Sequence, residues 1–521
     1  MTALNRIGDF IRALPRWRAR LFAIALGTVS ALGFAPVDFF PALLLGYAAL
    51  VLLIDGAGIT ARPIRNAAWL GWCFAFGQFM TGWHWIAYAF LVDPSAHEWQ
   101  IPFIAGLPAF LALYIAAACA LAARFWRGDA SRIFIFVAAY TLAEWLRGHL
   151  LTGFPWNIAG YGWGASPAVM QSAALFGTYG LTLLTVLFGA SLAQLFNKQI
   201  EWPLPLFMMF LFAALFAGGE WRLSATKIDT VPGVRLRIVQ PNIAQADKYR
   251  PALVEENWNR LIALSNAPAA RKPTHIIWPE AAPPFLLTRA PEALDEIALL
   301  TGRDRVLMTG ALRVQRRDDH IDYFNSFYVF GHGGQLTGVY DKFHLVPFGE
   351  YLPFEKFFAR LGLTKIVGVA GNFATGDGPH TLVVPGAPPA GPLICYEILF
   401  SGEVVGALRP NWFVNVTDDS WFGPWAGPTQ HLLIARMRAI EEGIPVVRAA
   451  NTGISAIIDP LGNVRAHLGL DRAGALDGDL PAALEPPPYA RSGWYSFWLL
   501  LLGSLVAGIL IARTSPTNKQ S

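Results

Sequence analysis

The sequence contains little charge and almost no cysteine. Only 15% of its 521 residues are charged and three are cysteine, whereas 54% are hydrophobic, with 19 Trp and 36 Phe among them. This composition excludes an ordinary soluble globular protein and predicts several membrane spans. The net charge of +4 is small and gives no indication of nucleic-acid binding. The chain also has no internal repeat and no low-complexity tract.

Long apolar runs lie at both ends of the chain. A run of about 18 or more apolar residues is typical of a membrane-spanning helix. Eight are present, near 19–36, 39–55, 67–92, 101–124, 132–148, 168–193, 202–219 and 494–512. The first follows several arginines like a signal peptide, but it lacks a small-residue cleavage site and a second run begins soon after it. We predict a polytopic α-helical membrane domain of eight spans, the third long enough to contain a turn at Gly77 or Gly82.

Basic residues occupy alternate loops between these spans. Lysine and arginine concentrate on the cytoplasmic side of membrane proteins. Here they precede the first span, fall in every second loop and follow the last span, with Arg147 as the one exception. The pattern predicts a multi-pass bacterial inner-membrane protein with two cytoplasmic termini. The predicted domains are a membrane domain at 1–219, a periplasmic catalytic domain at 220–493, and a last span with a cytoplasmic tail at 494–521.

Within 220–493 short β-rich strings alternate with helical patterns, which predicts an α/β domain large enough for a full core. Strands are predicted at 234–240, 274–278, 305–309, 323–330, 381–384, 392–396, 412–416 and 446–450. Helices are predicted at 251–265, 291–302 and 428–442, and a hairpin at 454–464.

Three residue types in this domain have the chemistry of acyl transfer. Glu280, Lys342 and Cys395 supply a base, a cation and a nucleophile for a reaction through a thioester. The other two cysteines lie in predicted spans, so Cys395 is a lone exported thiol. Each residue alone has an ordinary structural explanation, as an inert core thiol, a solvated carboxylate or an ion pair with Asp341. The ordered set within one α/β domain favours catalysis.

The motifs around these residues resemble the carbon–nitrogen hydrolase (nitrilase) superfamily. They are Trp-Pro-Glu at 278–280, Asp-Lys-Phe-His at 341–344, Phe-Gly-Glu at 348–350 and Cys-Tyr-Glu at 395–397. The eight spans, together with the segment 144–156, resemble the membrane-bound members that acylate lipoproteins. The resemblance covers essentially the whole chain.

The resemblance implies a nitrilase-like four-layer αββα sandwich outside the membrane. It implies a catalytic triad of Glu280, Lys342 and Cys395, and supporting roles for Glu350, Tyr396 and Glu397. The segment 239–249 matches a family segment that has Trp where this chain has Tyr249, so an aromatic substrate-binding side chain is retained. No metal ion and no cofactor is expected.

The resemblance also implies the substrates. The acyl donor is a membrane phospholipid, and the acceptor is the N-terminal α-amino group of diacylglyceryl-cysteine in an apolipoprotein. Transfer is expected to follow a two-step ping-pong mechanism through a thioester on Cys395. The protein is expected to be a membrane-embedded monomer that binds no nucleic acid.

Two other functions are compatible with parts of the sequence. A membrane-tethered amidase would use the same triad, although one span would suffice to anchor it. A transporter with an exported binding domain would have polar residues in several spans, but the spans are nearly free of charge. Glu144 and Arg147 are the exception, and because they lie three apart on a predicted helix they can pair with each other. That spacing favours a structural role for them.

Overall fold

The computed structural model describes residues 3–92, 104–316, 321–360 and 373–514. The described residues divide into two compact units. The first lies within Met1–His84, Pro102–Ala225 and Pro488–Ser521, and the second within Trp85–Ile101 and Thr226–Pro487. The first unit is built of helices and the second is built on two β-sheets.

Apolar helices make up the first unit. They are Ala3–Arg12, Arg16–Ser30, Phe40–Gly58, Pro63–Gly82, Gly106–Arg124, Ser131–His149, Pro167–Met170, Ala173–Ser191, Pro203–Ala225, Pro488–Ser492 and Tyr495–Thr514. Among the described residues, five stretches are long and apolar enough to cross a membrane: Phe40–Gly58, Gly106–Arg124, Ala173–Phe196, Pro203–Ala225 and Tyr495–Thr514. Each corresponds to a predicted span, and together they support membrane insertion.

The other three predicted spans fall on helices that are shorter or more polar. The helix Arg16–Ser30 has 15 residues and begins with three arginines in its first five positions. The helix Ser131–His149 carries Arg132, Glu144 and Arg147. Among the described residues, length and composition therefore identify five of the eight predicted spans.

The predicted span at 67–92 is an α-helix only as far as Gly82. Its helix, Pro63–Gly82, ends at one of the two glycines where a turn was expected, and His84–Leu91 continues as a 3-10 helix. Trp85 already belongs to the second unit. There its indole N–H donates to Gln430 Oε1 at 3.0 Å, and its ring packs edge-on against Phe422.

Glu144 and Arg147 form a buried ion pair inside the first unit. Arg147 donates to both carboxylate oxygens of Glu144, at 3.1 and 2.8 Å. It also donates to the backbone carbonyl oxygens of Phe154 and Trp156. The guanidinium thereby fixes the chain that follows its own helix. These bonds fit the structural role that the sequence spacing favours.

The strands of the second unit form two sheets. In chain order they are β1 Thr230–Gln240, β2 His275–Trp278, β3 Val306–Arg316, β4 Ile321–Phe330, β5 Leu336–Asp341, β6 Ala390–Ile394, β7 Trp412–Thr417, β8 Val446–Ala450, β9 Ser455–Ile458, β10 Val464–Leu468 and β11 Gly474–Pro481. The first sheet has the order β11-β1-β2-β3-β4-β5 and the second β10-β9-β8-β7-β6. In each sheet three strands, β1-β2-β3 and β6-β7-β8, pair in parallel.

The two sheets share one apolar core. Buried side chains from both contribute to it, including Ile238 and Met308 from the first sheet and Val414 and Val447 from the second. The helices of this unit are Val254–Ser265, Pro291–Thr301, Glu355–Arg360 and Ala426–Glu442. The first two cover the outer face of the first sheet, and Ala426–Glu442 packs against β8 of the second. The layers run helix, sheet, sheet, helix, which agrees with the predicted nitrilase-like sandwich.

The strand predicted at 381–384 is wrong. This segment makes only an isolated bridge, in which Leu382 and Ala390 exchange two backbone hydrogen bonds. Pro385 and the positive-φ Gly386 follow at once and turn the chain away from the sheet. The next strand, predicted at 392–396, is present as β6. It begins two residues earlier than predicted and ends directly before Cys395.

Candidate active site

Cys395 stands at a sharp bend after a fully buried strand. β6 is apolar and buried throughout, and Cys395 begins a short 3-10 helix that runs to Leu399. The backbone φ of Cys395 is 50°, a left-handed conformation that non-glycine residues rarely adopt. Such strain persists where the surrounding structure imposes it, and it concentrates at functional sites. This bend forms an elbow at the end of β6, and Cys395 on it is only 7% exposed.

The surroundings of Cys395 favour the protonated form of its thiol. Burial raises its pKa well above the usual value, the nearby Glu280 carboxylate raises it further, and Lys342 partly opposes them. A thiolate is the reactive form of cysteine. The side chain therefore requires a base at the moment of reaction.

Glu280 is held in place from three sides. It follows β2 by two residues and is buried. Asn325 Nδ2 donates to its Oε1 at 2.7 Å, and the backbone N–H of Asp418 donates to its Oε2 at 2.9 Å. Lys342 Nζ lies 3.4 Å from Oε1. Burial raises the pKa of the Glu280 carboxyl and Lys342 partly lowers it, a balance that suits a general base.

Lys342 is a buried ammonium between two carboxylates. It directly follows β5, and its Nζ donates to Glu350 Oε1 at 3.0 Å as well as contacting Glu280. Burial disfavours its charge, but Glu350 and Glu280 outweigh burial and raise the pKa of the ammonium. Glu350 also accepts from Asn325 Nδ2 and from the backbone N–H of Val346. Lys342 therefore remains a cation next to the base.

Glu397 joins the elbow to the segment that carries Lys342. Its Oε2 accepts from the backbone N–H of Ile394 at 2.7 Å. Its Oε1 accepts from the backbone N–H of Phe343 at 2.7 Å and from the hydroxyl of Tyr340 at 2.8 Å. Burial raises the pKa of Glu397 to about 7. These bonds are of the kind that a supporting residue would make. The ring of Tyr396, the other residue predicted to support the site here, is buried and packs against Phe400.

A second buried network supports the elbow from the helix Ala426–Glu442. His431 Nε2 lies 3.2 Å from the Cys395 carbonyl oxygen, and its Nδ1 lies 3.0 Å from Asp419 Oδ1. Arg448 donates to Asp419 Oδ2 at 2.5 Å. Burial and the Arg448 charge lower the pKa of His431. The two ring nitrogens link Asp419 to the Cys395 carbonyl oxygen, and this contact helps to hold the strained backbone of Cys395.

Tyr249, the predicted substrate-binding aromatic, lies on the turn after β1. Its side chain is 42% exposed, and Lys248 Nζ lies 5.9 Å from its ring centroid. Lys248 itself is buried and donates to the backbone carbonyl of Glu280. Tyr249 therefore directly follows, in the sequence, the residue that contacts Glu280, the candidate base.

Sequence reasoning missed several polar residues of the site. They are Lys248, Asn325, Asp418, Asp419, His431 and Arg448. Lys248 lies inside the segment 239–249 that matches a family segment, so attention to that segment could have found it. Asp418 and Asp419 directly follow β7. Asn325 lies inside β4, and nothing in its local pattern distinguishes it from an ordinary strand residue.

The arrangement provides the parts of an acyl-transfer site. A buried thiol on a strained elbow, a carboxylate with a raised pKa and a buried ammonium all meet at the ends of β2, β5 and β6. A thiol, a carboxylate and an ammonium are thus assembled in one place, and these are the groups that can serve acyl transfer as nucleophile, general base and oxyanion stabiliser. Among the described residues no group of histidine, cysteine, aspartate or glutamate is arranged to hold a metal ion.

Comparison with known proteins agrees with this fold. Residues 235–485 match the family model for carbon–nitrogen hydrolases, which defines the class of the second unit. Residues 26–191 match the model of the apolipoprotein N-acyltransferase N-terminal domain.

Curated relatives cover almost the whole chain. An apolipoprotein N-acyltransferase of Rhodopseudomonas palustris is 42% identical, over 98% of this chain and 98% of its own length. The protein of that name from Bradyrhizobium diazoefficiens is 45% identical over 95% of each chain, and that of Brucella melitensis is 39% identical over 97% of this chain and 98% of its own. The chain therefore belongs to the apolipoprotein N-acyltransferases, a family of acyltransferase enzymes.

Proposed function

We propose that the chain transfers a fatty acyl group from a membrane phospholipid to the N-terminal α-amino group of diacylglyceryl-cysteine in an apolipoprotein. Family membership over nearly the full chain supports the reaction. The observation that carries the mechanism is the buried cluster of Glu280 and Lys342, whose charges act on the Cys395 thiol. The catalytic residues are Glu280, Lys342 and Cys395.

In the first half-reaction Glu280 takes the proton of the Cys395 thiol. The thiolate attacks the ester carbonyl of the phospholipid and forms a tetrahedral oxyanion, which the Lys342 ammonium stabilises. The intermediate then collapses and the C–O bond of the ester breaks. Glu280 returns the proton to the leaving oxygen, so that a lysophospholipid departs and a thioester remains on Cys395.

In the second half-reaction the α-amino group of the acceptor attacks the thioester carbonyl. Glu280 takes a proton from the attacking nitrogen, and Lys342 again stabilises the oxyanion. The C–S bond breaks as the amide forms. The thiolate regains its proton from Glu280, and the enzyme returns to its starting state.

The supporting residues keep these groups in position. Glu350 compensates the charge of Lys342, Glu397 ties the elbow to the Lys342 segment, and Tyr396 packs beside it. Tyr249 presents an exposed aromatic face for substrate binding. We propose that the enzyme acts as a monomer.

The membrane setting is part of the proposal. Residues 1–219 form the membrane domain, 220–493 the periplasmic catalytic domain, and 494–521 the last span with a cytoplasmic tail. All eight predicted segments then cross the bacterial inner membrane, and both termini are cytoplasmic. A phospholipid tail costs about 0.8 kcal/mol per CH₂ drawn into water, so an enzyme that attacks its ester benefits from anchoring in the bilayer.

A donor-only experiment tests the ping-pong mechanism. Purified enzyme with phospholipid and no acceptor should release about one lysophospholipid per enzyme and then stall, because the acyl group stays on Cys395. Adding a lipopeptide with a free α-amino group beside a diacylated cysteine should restart turnover. The measurement is lysophospholipid released over time, by mass spectrometry.

The matched control is the same lipopeptide with its α-amino group acetylated, which should not restart turnover. Steady release of fatty acid from phospholipid without acceptor would contradict the transferase. Turnover of small amides under those conditions would favour a membrane-tethered amidase instead.

Reporter fusions test the orientation. A reporter that is active only in the periplasm should work when fused after Ala225 and fail when fused after Arg513, because the basic loops place these points on opposite sides. A reporter that is active only in the cytoplasm should give the reverse pattern. If both points give the same side, the proposed topology is wrong.

A further inference from the structure

A buried ion pair outside the catalytic triad forms hydrogen bonds with Glu280, the candidate base. Lys248 Nζ lies 2.7 Å from Asp418 Oδ2, and both side chains are almost fully buried. The same Nζ donates to the backbone carbonyl oxygen of Glu280 at 3.1 Å. The backbone N–H of Asp418 donates to Glu280 Oε2 at 2.9 Å. The two partners thus hold opposite ends of one glutamate.

The pair is itself anchored at several points. Asp418 Oδ1 accepts from Asn451 Nδ2 at 3.1 Å and from the hydroxyl of Ser420 at 2.6 Å. Asn451 also exchanges two hydrogen bonds with the backbone of Ile243, at 3.0 and 2.7 Å. The segment from Ile243 to Lys248 is therefore fixed to Asp418 at both ends.

This degree of burial needs a reason. Removing two charges from water costs more than an ordinary surface pair returns, and apolar replacements of buried pairs are often neutral or stabilising. A pair retained at this depth is explained if its charges act on a neighbour. The neighbour within hydrogen-bond distance of both partners is Glu280.

We propose that Lys248 and Asp418 are positioning residues that set both the orientation and the electrostatic environment of Glu280. This inference rests on the proposed function, in which Glu280 is the base. Lys248 fixes the backbone of Glu280, while the Asp418 N–H fixes the orientation of its carboxylate. Their opposite charges act on the carboxylate in opposite directions, so that the intact pair leaves it poised to accept a proton.

Other groups also face Glu280, and they set the background against which the pair acts. The charged and titratable ones are Lys342 after β5, Glu350, Cys395 after β6, Asp418 after β7, and Lys248 and Tyr249 after β1. Lys342 and Glu350 bond to each other, and neither is substituted in the variants of the pair. A shift seen in a pair variant is therefore attributable to the pair.

The test measures acylation of Cys395 as a function of pH in Lys248→Met, Asp418→Asn and the double variant. The readout is intact-protein mass after mixing with phospholipid vesicles. Lys248→Met leaves a negative charge beside Glu280. The acid limb of the profile of acylation rate against pH should therefore move to higher pH by about one unit. Asp418→Asn leaves a positive charge there, so the limb should move to lower pH by about one unit.

The double variant should restore the native midpoint while acylating about 10- to 100-fold more slowly, because the anchor on the Glu280 backbone is lost. A purely structural role would lower the amount of folded enzyme without opposite pH shifts. The matched control is Arg250→Met with Asp247→Asn, an exposed ion pair on the same turn. Its pH profile and rate should remain native.

The outcomes separate this inference from the proposed function. If the native enzyme never acquires an acyl group on Cys395, the proposed function itself fails. If it does, and folded single variants keep the native acid limb, the pair does not tune Glu280. If the single variants do not fold, the double variant decides: a native rate overturns the inference, and a 10- to 100-fold slower rate at the native midpoint supports it.

Discussion

Cys395→Ala should abolish acyl transfer, lowering the rate by about 10³-fold or more. The reason is that the described part of the second unit contains no other thiol that could carry the acyl group. Cys395→Ser should also be nearly inactive, because a hydroxyl has a much higher pKa than a thiol and Glu280 is poorly matched to activate it. The measurement is transfer of acyl groups to a lipopeptide, with intact-protein mass to detect the adduct.

Cys119→Ala provides the matched control. Cys119 is a fully buried thiol in the first unit. Its replacement by alanine removes the same sulfur atom as Cys395→Ala does, but at a position distant from Cys395 in the sequence. It should leave both transfer and the adduct intact. Substantial transfer by folded Cys395→Ala, or an adduct that persists in it, would show that another residue is the nucleophile.

The sequence predicts the fold best where patterns are local. The strands that lead to Glu280 and Cys395 are short apolar strings bounded by turn residues, and both are present within two residues of their predicted positions. β5 and β11 were not predicted, because they mix glycine and aspartate with apolar residues. Such strands owe their structure to pairing with neighbours rather than to their own propensity.

The membrane domain shows what cannot be predicted from composition alone. Hydropathy identifies helices such as Phe40–Gly58 directly, because they are apolar on every side. It extends the run at 67–92 past Gly82, because Trp85 and the residues after it are equally apolar. Apolar character does not tell whether a tryptophan faces lipid or packs against Phe422. That distinction depends on tertiary contacts.

The same contrast applies to the site. Glu280, Lys342 and Cys395 can be predicted because they lie in motifs at strand ends. In the structure the charges of Glu280 and Lys342 both act on the Cys395 thiol. Asn325, which donates to both Glu280 and Glu350, could not be predicted from its strand. Its role arises from the antiparallel pairing that places β4 beside β5, a long-range consequence of the fold.

The division of work among the carboxylates follows from their partners. Glu350 accepts from Lys342, Asn325 and the Val346 backbone, so its lone pairs are committed. Glu397 is equally committed to backbone N–H groups and Tyr340. Glu280 also has three donors, Asn325, the Asp418 backbone N–H and Lys342. Its 3.4 Å contact with Lys342 is longer than the 3.0 Å contact of Glu350, and among these three carboxylates it is the one whose charge acts on the Cys395 thiol. It is therefore the carboxylate best suited to exchange protons.

Glu280→Gln should block formation of the thioester, slowing acylation of Cys395 by about 10²- to 10⁴-fold. The amide keeps the shape of the side chain but cannot accept the thiol proton, and burial already holds the pKa of that thiol well above its usual value. In the native enzyme burial raises the pKa of Glu280, so acylation should be lost as pH falls through a value above the ordinary glutamate range. The measurement is the rate of adduct formation with phospholipid vesicles between about pH 4 and pH 9.

The control for this variant is Glu256→Gln, an exposed glutamate on the helix Val254–Ser265 that pairs with Arg260. It should acylate at the native rate with the native acid limb. The folded Glu280→Gln enzyme should stay slow at every pH, because raising the pH cannot supply the missing proton acceptor at that position. If Glu280→Gln regains the native rate at high pH, hydroxide or another group removes the proton, and Glu280 serves only to compensate the charge of Lys342.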